Sequence, residues 1–340
     1  MTLFSFNLGV VKVLTKRQNL LETIRGGAPD RFVNQFEFIA MPNKDPFNVS
    51  NPALRPGGEV IDLWGIKWIW PEGTPGGFPV YDAENVVVRD VTKWRERLKL
   101  PDLSFAGELW ADAEKAYARI DRNEVFAGFV MFPGLFEFTH SIMGMERALI
   151  NFYEEPESMH EIIEAQTNWE CSYVEMLAEH CHPDAVLHHD DWGSQISTFM
   201  SPQMFGDFFL EPYKRLYECY RDNGFELIVH HSDSYAATLV PYMIEMGVDI
   251  WQGAMKTNDI PGLISKYGSK LSIMAGVDTA DVDKPGWTQE DVEKAVRWAC
   301  EECGGKYFIP CQTQGEAGST FEGVYDAISA EIDKMSKKMF

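Results

Sequence analysis

With 340 residues, 45% of them apolar and 13% aromatic, the chain can bury a large core and has the length of one barrel-sized domain or two smaller ones. A formal charge of -22, with the lysines and arginines dispersed, repels phosphate backbones and anionic lipid and argues against nucleic acid or a membrane surface as a partner. No apolar window reaches the roughly 18 residues of a membrane span, and six scattered cysteines form no disulfide framework, so a reducing cytoplasm is the expected compartment.

The opening MTLFSFNLGVVKVLTKRQ has an apolar run but no basic leader and no small-residue cleavage site, and reads as mature protein. TKRQNLLETIRG, from Thr15 to Gly26, reads as a helix with a Thr start and a Gly stop. Asp30 to Phe38 reads as the first strand. From Met41 to Pro101 the chain is rich in Pro, Gly and Trp. Its segment DLWGIKWIWPEGTPGGFPVYD suggests a hairpin with long loops, either a wall over a pocket or an excursion packed by its own tryptophans.

A helix near Glu108 to Arg122 precedes the strand VFAGFVMF, Val125 to Phe132. Helices at about His140 to Phe152 and Ser158 to His180 lead to a strand from Asp184 to His188, and a helix over 202 to 222 leads to a strand from Phe225 to Val229. Tyr235 to Met246 is a further helix. Strands follow at Val248 to Trp251, Leu271 to Ala275 and Lys306 to Pro310, before a last helix from Phe321 to Lys337. Strands alternate with helices from residue 125 onward without a break in composition, which implies one parallel βα domain over residues 1–340. Seven strands are legible and the eighth is sought in Ala53 to Trp70 or Ala106 to Trp110. The expected α/β fold is a (β/α)8 TIM barrel with the hairpin excursion over its mouth, an open doubly wound sheet being the alternative.

In such folds the carboxyl ends of the strands face the ligand. Polar groups gather at four of them: His189, Asp190 and Asp191; His230, His231 and Asp233; Asp278; and Cys311. Imidazole, carboxylate and thiolate are all zinc ligands, and three protein ligands leave a position open for catalysis. The competing reading is a buried polar cluster that satisfies itself and the backbone. Met131, Phe132, Phe136 and Phe138 near one strand end serve either an aromatic pocket or the core.

The run DDWGSQISTFMSPQMFGDFFLEPYKRLYECYRDNGFELIVHHSDS, with MIEMGVDIWQG, GVDT and TKRQNLLETIRGGAPDRF, resembles the uroporphyrinogen decarboxylase superfamily over nearly the whole chain. The resemblance implies a (β/α)8 barrel and either decarboxylation or cobamide-dependent methyl transfer. The methyltransferases carry His-x-Cys after one strand and Cys after the last. His231-Ser232-Asp233 and Cys311 stand in those places, which implies a Zn2+ site on His231, Asp233 and Cys311 with Asp instead of the first Cys. The decarboxylases carry an Arg-rich segment of the form RQAGRY, where this chain reads RFVNQFEFIAMPNKDPF.

The aromatic-rich excursion, GVDIWQG and the ending IPCQTQGEAGSTF are similar to the methyltransferase components of anaerobic O-demethylases. That resemblance implies transfer of a methyl group from a methoxylated aromatic compound to the cob(I)alamin of a separate corrinoid protein. None of the eight histidines lies in an Asp-x-His-x-x-Gly corrinoid motif, so the corrinoid would arrive on the partner. Asp191 or His189 would then assist the departing oxygen as an acid, with His230 and Asp278 orienting ligands or substrate. Transfer from methylcorrinoid to a thiol, a non-catalytic barrel that binds aromatic compounds, and decarboxylation are the alternatives. The methoxy donor and any homo-oligomer are left open.

O-demethylase methyltransferases are also associated with a Glu-x14-Glu-x20-His pattern, which Glu146, Glu161 and His182 fit. His182 would fall at the amino end of a strand, the stability face of a barrel, which counts against it. Cys300 and Cys303 read as structural, lying at a helix end with no second pair. No GxGxxG, P-loop, GxSxG or HExxH occurs.

Overall fold

The computed structural model describes residues 13–74 and 76–340, so most of the apolar opening of the sequence, residues 1–12, lies outside the described residues. Seven parallel strands form one curled sheet: β1 (Ile39–Ala40), β5 (Phe126–Met131), β6 (Ala185–His189), β7 (Leu227–His231), β8 (Ile250–Ala254), β9 (Ser272–Val277) and β10 (Phe308–Gln312), side by side in that order. Nearly all of their residues are buried, as expected where helices cover one face and strand side chains fill the other. Leu187, Val229, Ile250, Met274, Ile309 and Cys311 form an inner apolar cluster, while the opposite faces of the strands pack on the helices.

The expected eighth strand is absent among the described residues. Gly107–Tyr117 is a helix, and the 53–70 region supplies β2 (Glu59–Ile61) and β3 (Lys67–Ile69), which pair antiparallel with each other and with β4 (Phe78–Pro79) in a separate small sheet. The turn between β2 and β3 is set by Asp62, whose carboxylate accepts from the amides of Trp64 and Ile66 at 2.9 Å each and from the Trp68 indole at 2.8 Å. The first helix starts and stops where the sequence places it. Thr15 closes a capping box with Gln18, and Gly26 takes a φ of 66° just beyond the end.

One expected element is displaced. The segment 30–38 is irregular, because Asn34 and Gln35 turn away to bond Ser329 of the helix Val324–Met339, and the strand begins only at Ile39. The helix expected over 202–222 is present over that span, with a π-helical segment Gly206–Leu210 between the α-helical stretches Pro202–Phe205 and Glu211–Asp222. Pro212 lacks the amide that would continue the regular ladder, which accounts for the π-helical segment. Among the described residues no helix is long and apolar enough to cross a membrane.

Candidate functional site

β6 and β7 run to His189 and His231, further than the apolar runs of the sequence indicate. Each ends in a histidine doublet inside the strand, and alternation sends the two members to opposite faces. His189 and His231 follow Leu187 and Val229 onto the inner face. His188 and His230 face the helices.

At the mouth the rings of His189 and His231 stack at 4.3 Å, and Asp191 Oδ1 lies 3.8 Å from His231 Nε2. One ligand atom from each of His189, Asp191 and His231 falls within 4.8 Å of the others. Both rings are held from behind. Gln252 donates its amide to the carbonyls of Gln312 and Thr313 at 3.1 and 3.2 Å, which turns its oxygen toward His231 Nδ1. His231 therefore carries its proton on Nδ1 and keeps a lone pair on Nε2. His189 Nδ1 meets Glu137 Oε2 at 2.7 Å, which fixes that ring as Gln252 fixes the other. Gln252→Ala is expected to preserve the fold and weaken metal affinity by about 10- to 100-fold, measured by competition with a zinc chelator.

The electrostatics of the mouth are unbalanced. Burial, and next the Asp191 carboxylate to which it is hydrogen-bonded, push Asp233 up to about 9, so Asp233 keeps its proton; Glu137 and Asp278 add to the effect. Burial, then Asp191 and Asp190, hold Glu137 well above the carboxylate range. Burial and the neighbouring His189 push His231 down to about 4. Among the described residues no Lys or Arg is ion-paired to Glu137, Asp191 or Asp233. Carboxyl groups that keep their protons for want of a cationic partner form a set that a divalent cation can ionise by displacing those protons. Two imidazole nitrogens and a carboxylate oxygen suit Zn2+.

The structure gathers a different trio from the one expected. Of His231, Asp233 and Cys311, only His231 belongs to the close set. Asp233 lies beside it, bonded through its amide to Asp191 Oδ1 at 2.9 Å. Cys311 is inside β10, fully buried in the inner apolar cluster; burial raises its thiol well above the ordinary value, moderated by a hydrogen bond to Gln252. The shift of β10 by two residues relative to the expected strand puts this sulfur in the interior layer instead of at the rim.

His230 lies behind the sheet, with its ring stacked on Trp192 at 4.0 Å and its Nδ1 at 2.6 Å from the Tyr217 hydroxyl. Burial first, then the neighbouring histidines His188 and His231, hold it well below its ordinary value, so the folded protein excludes a proton that the unfolded chain binds below about pH 6.5. Stability of the wild type relative to His230→Phe should thus fall by about 1.4 kcal/mol per pH unit on acidification below that point, read from urea unfolding between about pH 7 and about pH 5. Asp278 caps a short helix through the amide of Ala280 at 3.1 Å and touches the site only through its charge on Asp233.

Glu146, Glu161 and His182 do not converge. Glu161 is ion-paired to Arg95 at 2.5 Å, and His182 takes a φ of 48° where the helix Pro156–Cys181 ends, at the amino end of β6. Cys300 and Cys303 are buried free thiols, each pushed up by burial to about 12. The residue that sequence reasoning missed is Glu137, in the helix Leu135–Met143 just past the end of β5; its one signal was its distance from that strand end.

The excursion reaches the same place. The Trp68 ring lies 5.5 Å from that of Phe132, whose ring meets His189 edge-on at 5.1 Å. Phe132 is thus a wall of the mouth, whereas Met131, Phe136 and Phe138 are buried core.

The uroporphyrinogen decarboxylase (URO-D) family model matches residues 65–309. Among solved structures, a methyltransferase from Methanosarcina mazei is similar in fold, with a TM-score of 0.64 and 12% identity over 94% of this chain and 99% of that one. A B12-independent methionine synthase from Shewanella sp., in complex with selenomethionine, matches at a TM-score of 0.46 and 14% identity over 67% of each chain. No curated protein matches the sequence.

Proposed function

The chain belongs to the uroporphyrinogen decarboxylase (URO-D) family, and from that premise we propose that it is a methyltransferase that takes a methyl group from a methoxylated aromatic compound and delivers it to the cob(I)alamin of a separate corrinoid protein. The observation that carries the reading is the pair of inward imidazoles with Asp191, set among carboxyl groups with no Lys or Arg partner among the described residues, beneath an aromatic wall. His189, Asp191 and His231 would hold Zn2+, with Asp233 beside them as a further carboxylate. When bound, the metal would supply Lewis acidity toward the ether oxygen, whose departure as phenolate is otherwise slow.

The residues of the chain do the rest. Glu137 and Gln252 fix the two imidazoles, and Phe132, backed by the buried Trp68, offers flat apolar surface to an aromatic ring. No Lys or Arg is ion-paired to the carboxyl groups of the mouth among the described residues, and the chain carries a formal charge of -22, so a polycarboxylated tetrapyrrole would be poorly held, which disfavours its decarboxylation. Mixing the metal-loaded protein with a reduced corrinoid protein and a panel of methoxyarenes should convert the cob(I)alamin spectrum to that of methylcobalamin. Carbon dioxide release, or methyl transfer from methylcorrinoid to a thiol only, would replace the proposal.

A further inference from the structure

The excursion delivers Tyr81, two residues past β4, to the helix Leu135–Met143, where its hydroxyl lies 2.8 Å from His140 Nδ1. His140 follows Glu137 by three residues and so shares its helix face. One face thus carries both the carboxyl that holds His189 and the imidazole that holds a tyrosine. The His140 ring is fixed in turn by Phe136, edge-on at 5.2 Å. Tyr81 is 43% exposed and His140 only 9%, so the phenol stands at the rim with its hydroxyl turned inward. Glu137, one turn back on the same face, is bonded to His189, so the pair adjoins the metal trio through that helix.

We propose that Tyr81 donates a hydrogen bond to the oxygen that gives up its methyl group, and that His140 is the positioning residue that aims it. This rests on the reading of the mouth as a methyl-transfer site. In the transfer the methyl carbon takes an electron pair from the reduced corrinoid, the carbon–oxygen pair leaves with the oxygen, and that oxygen becomes a phenolate. A donor already in place strengthens its bond as this charge develops. Burial pushes His140 down to about 4, so its ring is neutral. With the proton on Nδ1 it donates to Tyr81 Oη and leaves the tyrosine O–H for the substrate. Burial raises the Tyr81 phenol, so it keeps its proton and acts as a hydrogen-bond donor, leaving the product as phenolate.

The test uses metal-loaded wild type, Tyr81→Phe and His140→Gln with the methyl ethers of phenols ranging from nitrophenol to an alkylphenol, followed through methylation of a reduced corrinoid protein. Tyr81→Phe should lose about 10- to 100-fold in kcat/KM on the alkylphenyl ether and progressively less as the departing phenol becomes more acidic, with metal content unchanged. His140→Gln should show a smaller loss with the same trend. A loss that is uniform across the series, or no loss, overturns the assignment while leaving methyl transfer intact. Should no ether react, the parent reading fails, and calorimetry with para-nitrophenolate still decides: about tenfold weaker binding to Tyr81→Phe supports the donor, and equal affinity or no binding sinks it.

Discussion

Replacing His231 with alanine is expected to strip the protein of metal and to lower kcat/KM for methyl transfer by at least about 10³-fold, the loss of several kcal/mol of charge stabilisation at the ether oxygen. The side chain supplies one of two inward imidazole nitrogens, and no other histidine can replace it, since His230 is committed to Tyr217 behind the sheet. The variant also leaves the Gln252 oxygen buried without its donor, at a cost of about 1–3 kcal/mol in stability. Elemental analysis and thermal unfolding therefore accompany the kinetics. Cys311→Ala is the informative companion. If the ligands are His189, Asp191 and His231, it keeps its metal and loses only core packing, about 1 kcal/mol. If metal content instead survives His231→Ala and drops with Cys311→Ala, the ligand set is wrong.

The way the two ligand sets differ shows what a sequence carries. Alternation of strands and helices, the Thr start and Gly stop of the first helix and the irregular excursion are local signals, and each is where it is expected. Strand ends are not local. An apolar run stops at the first polar residue, but a strand stops where its neighbours stop pairing, so β7 runs through His230 and His231 and β10 through Cys311. A shift of two residues preserves which face a side chain takes and changes its depth. Cys311 moves from the rim into the interior, and the His doublets become one inner and one outer residue each. Glu137 lay between two phenylalanines that are read as core, and nothing in its own neighbourhood marks it as the partner of a histidine 52 positions away.

Adjacent carboxylates provide the second large effect, with opposite signs. Asp190 is fully buried and accepts from the amides of Phe136 at 2.9 Å and Glu137 at 2.7 Å, from the Trp192 indole at 2.9 Å and from the Tyr213 hydroxyl. Asp190→Ala orphans all four donors and should cost roughly 3–5 kcal/mol, the range for breaking a buried charged hydrogen-bond set. Because one of those donors is the amide of Glu137, the carboxyl behind His189 shifts with it, and the folded variant should also lose about 10- to 100-fold in metal affinity. Asp191 is next in sequence, yet its carboxylate faces Asp233 and Glu137 and raises both. Asp191→Asn lifts that penalty on ionising its neighbours, so in chelator it should unfold at a temperature equal to or above that of the wild type, while methyl transfer collapses. Matched unfolding curves and metal titrations on the two variants separate a residue that builds the site from one that works in it. If Asp191→Asn were destabilised as severely as Asp190→Ala, the mouth would be a self-satisfied polar cluster, and the carboxyl groups around it would not be waiting for a cation.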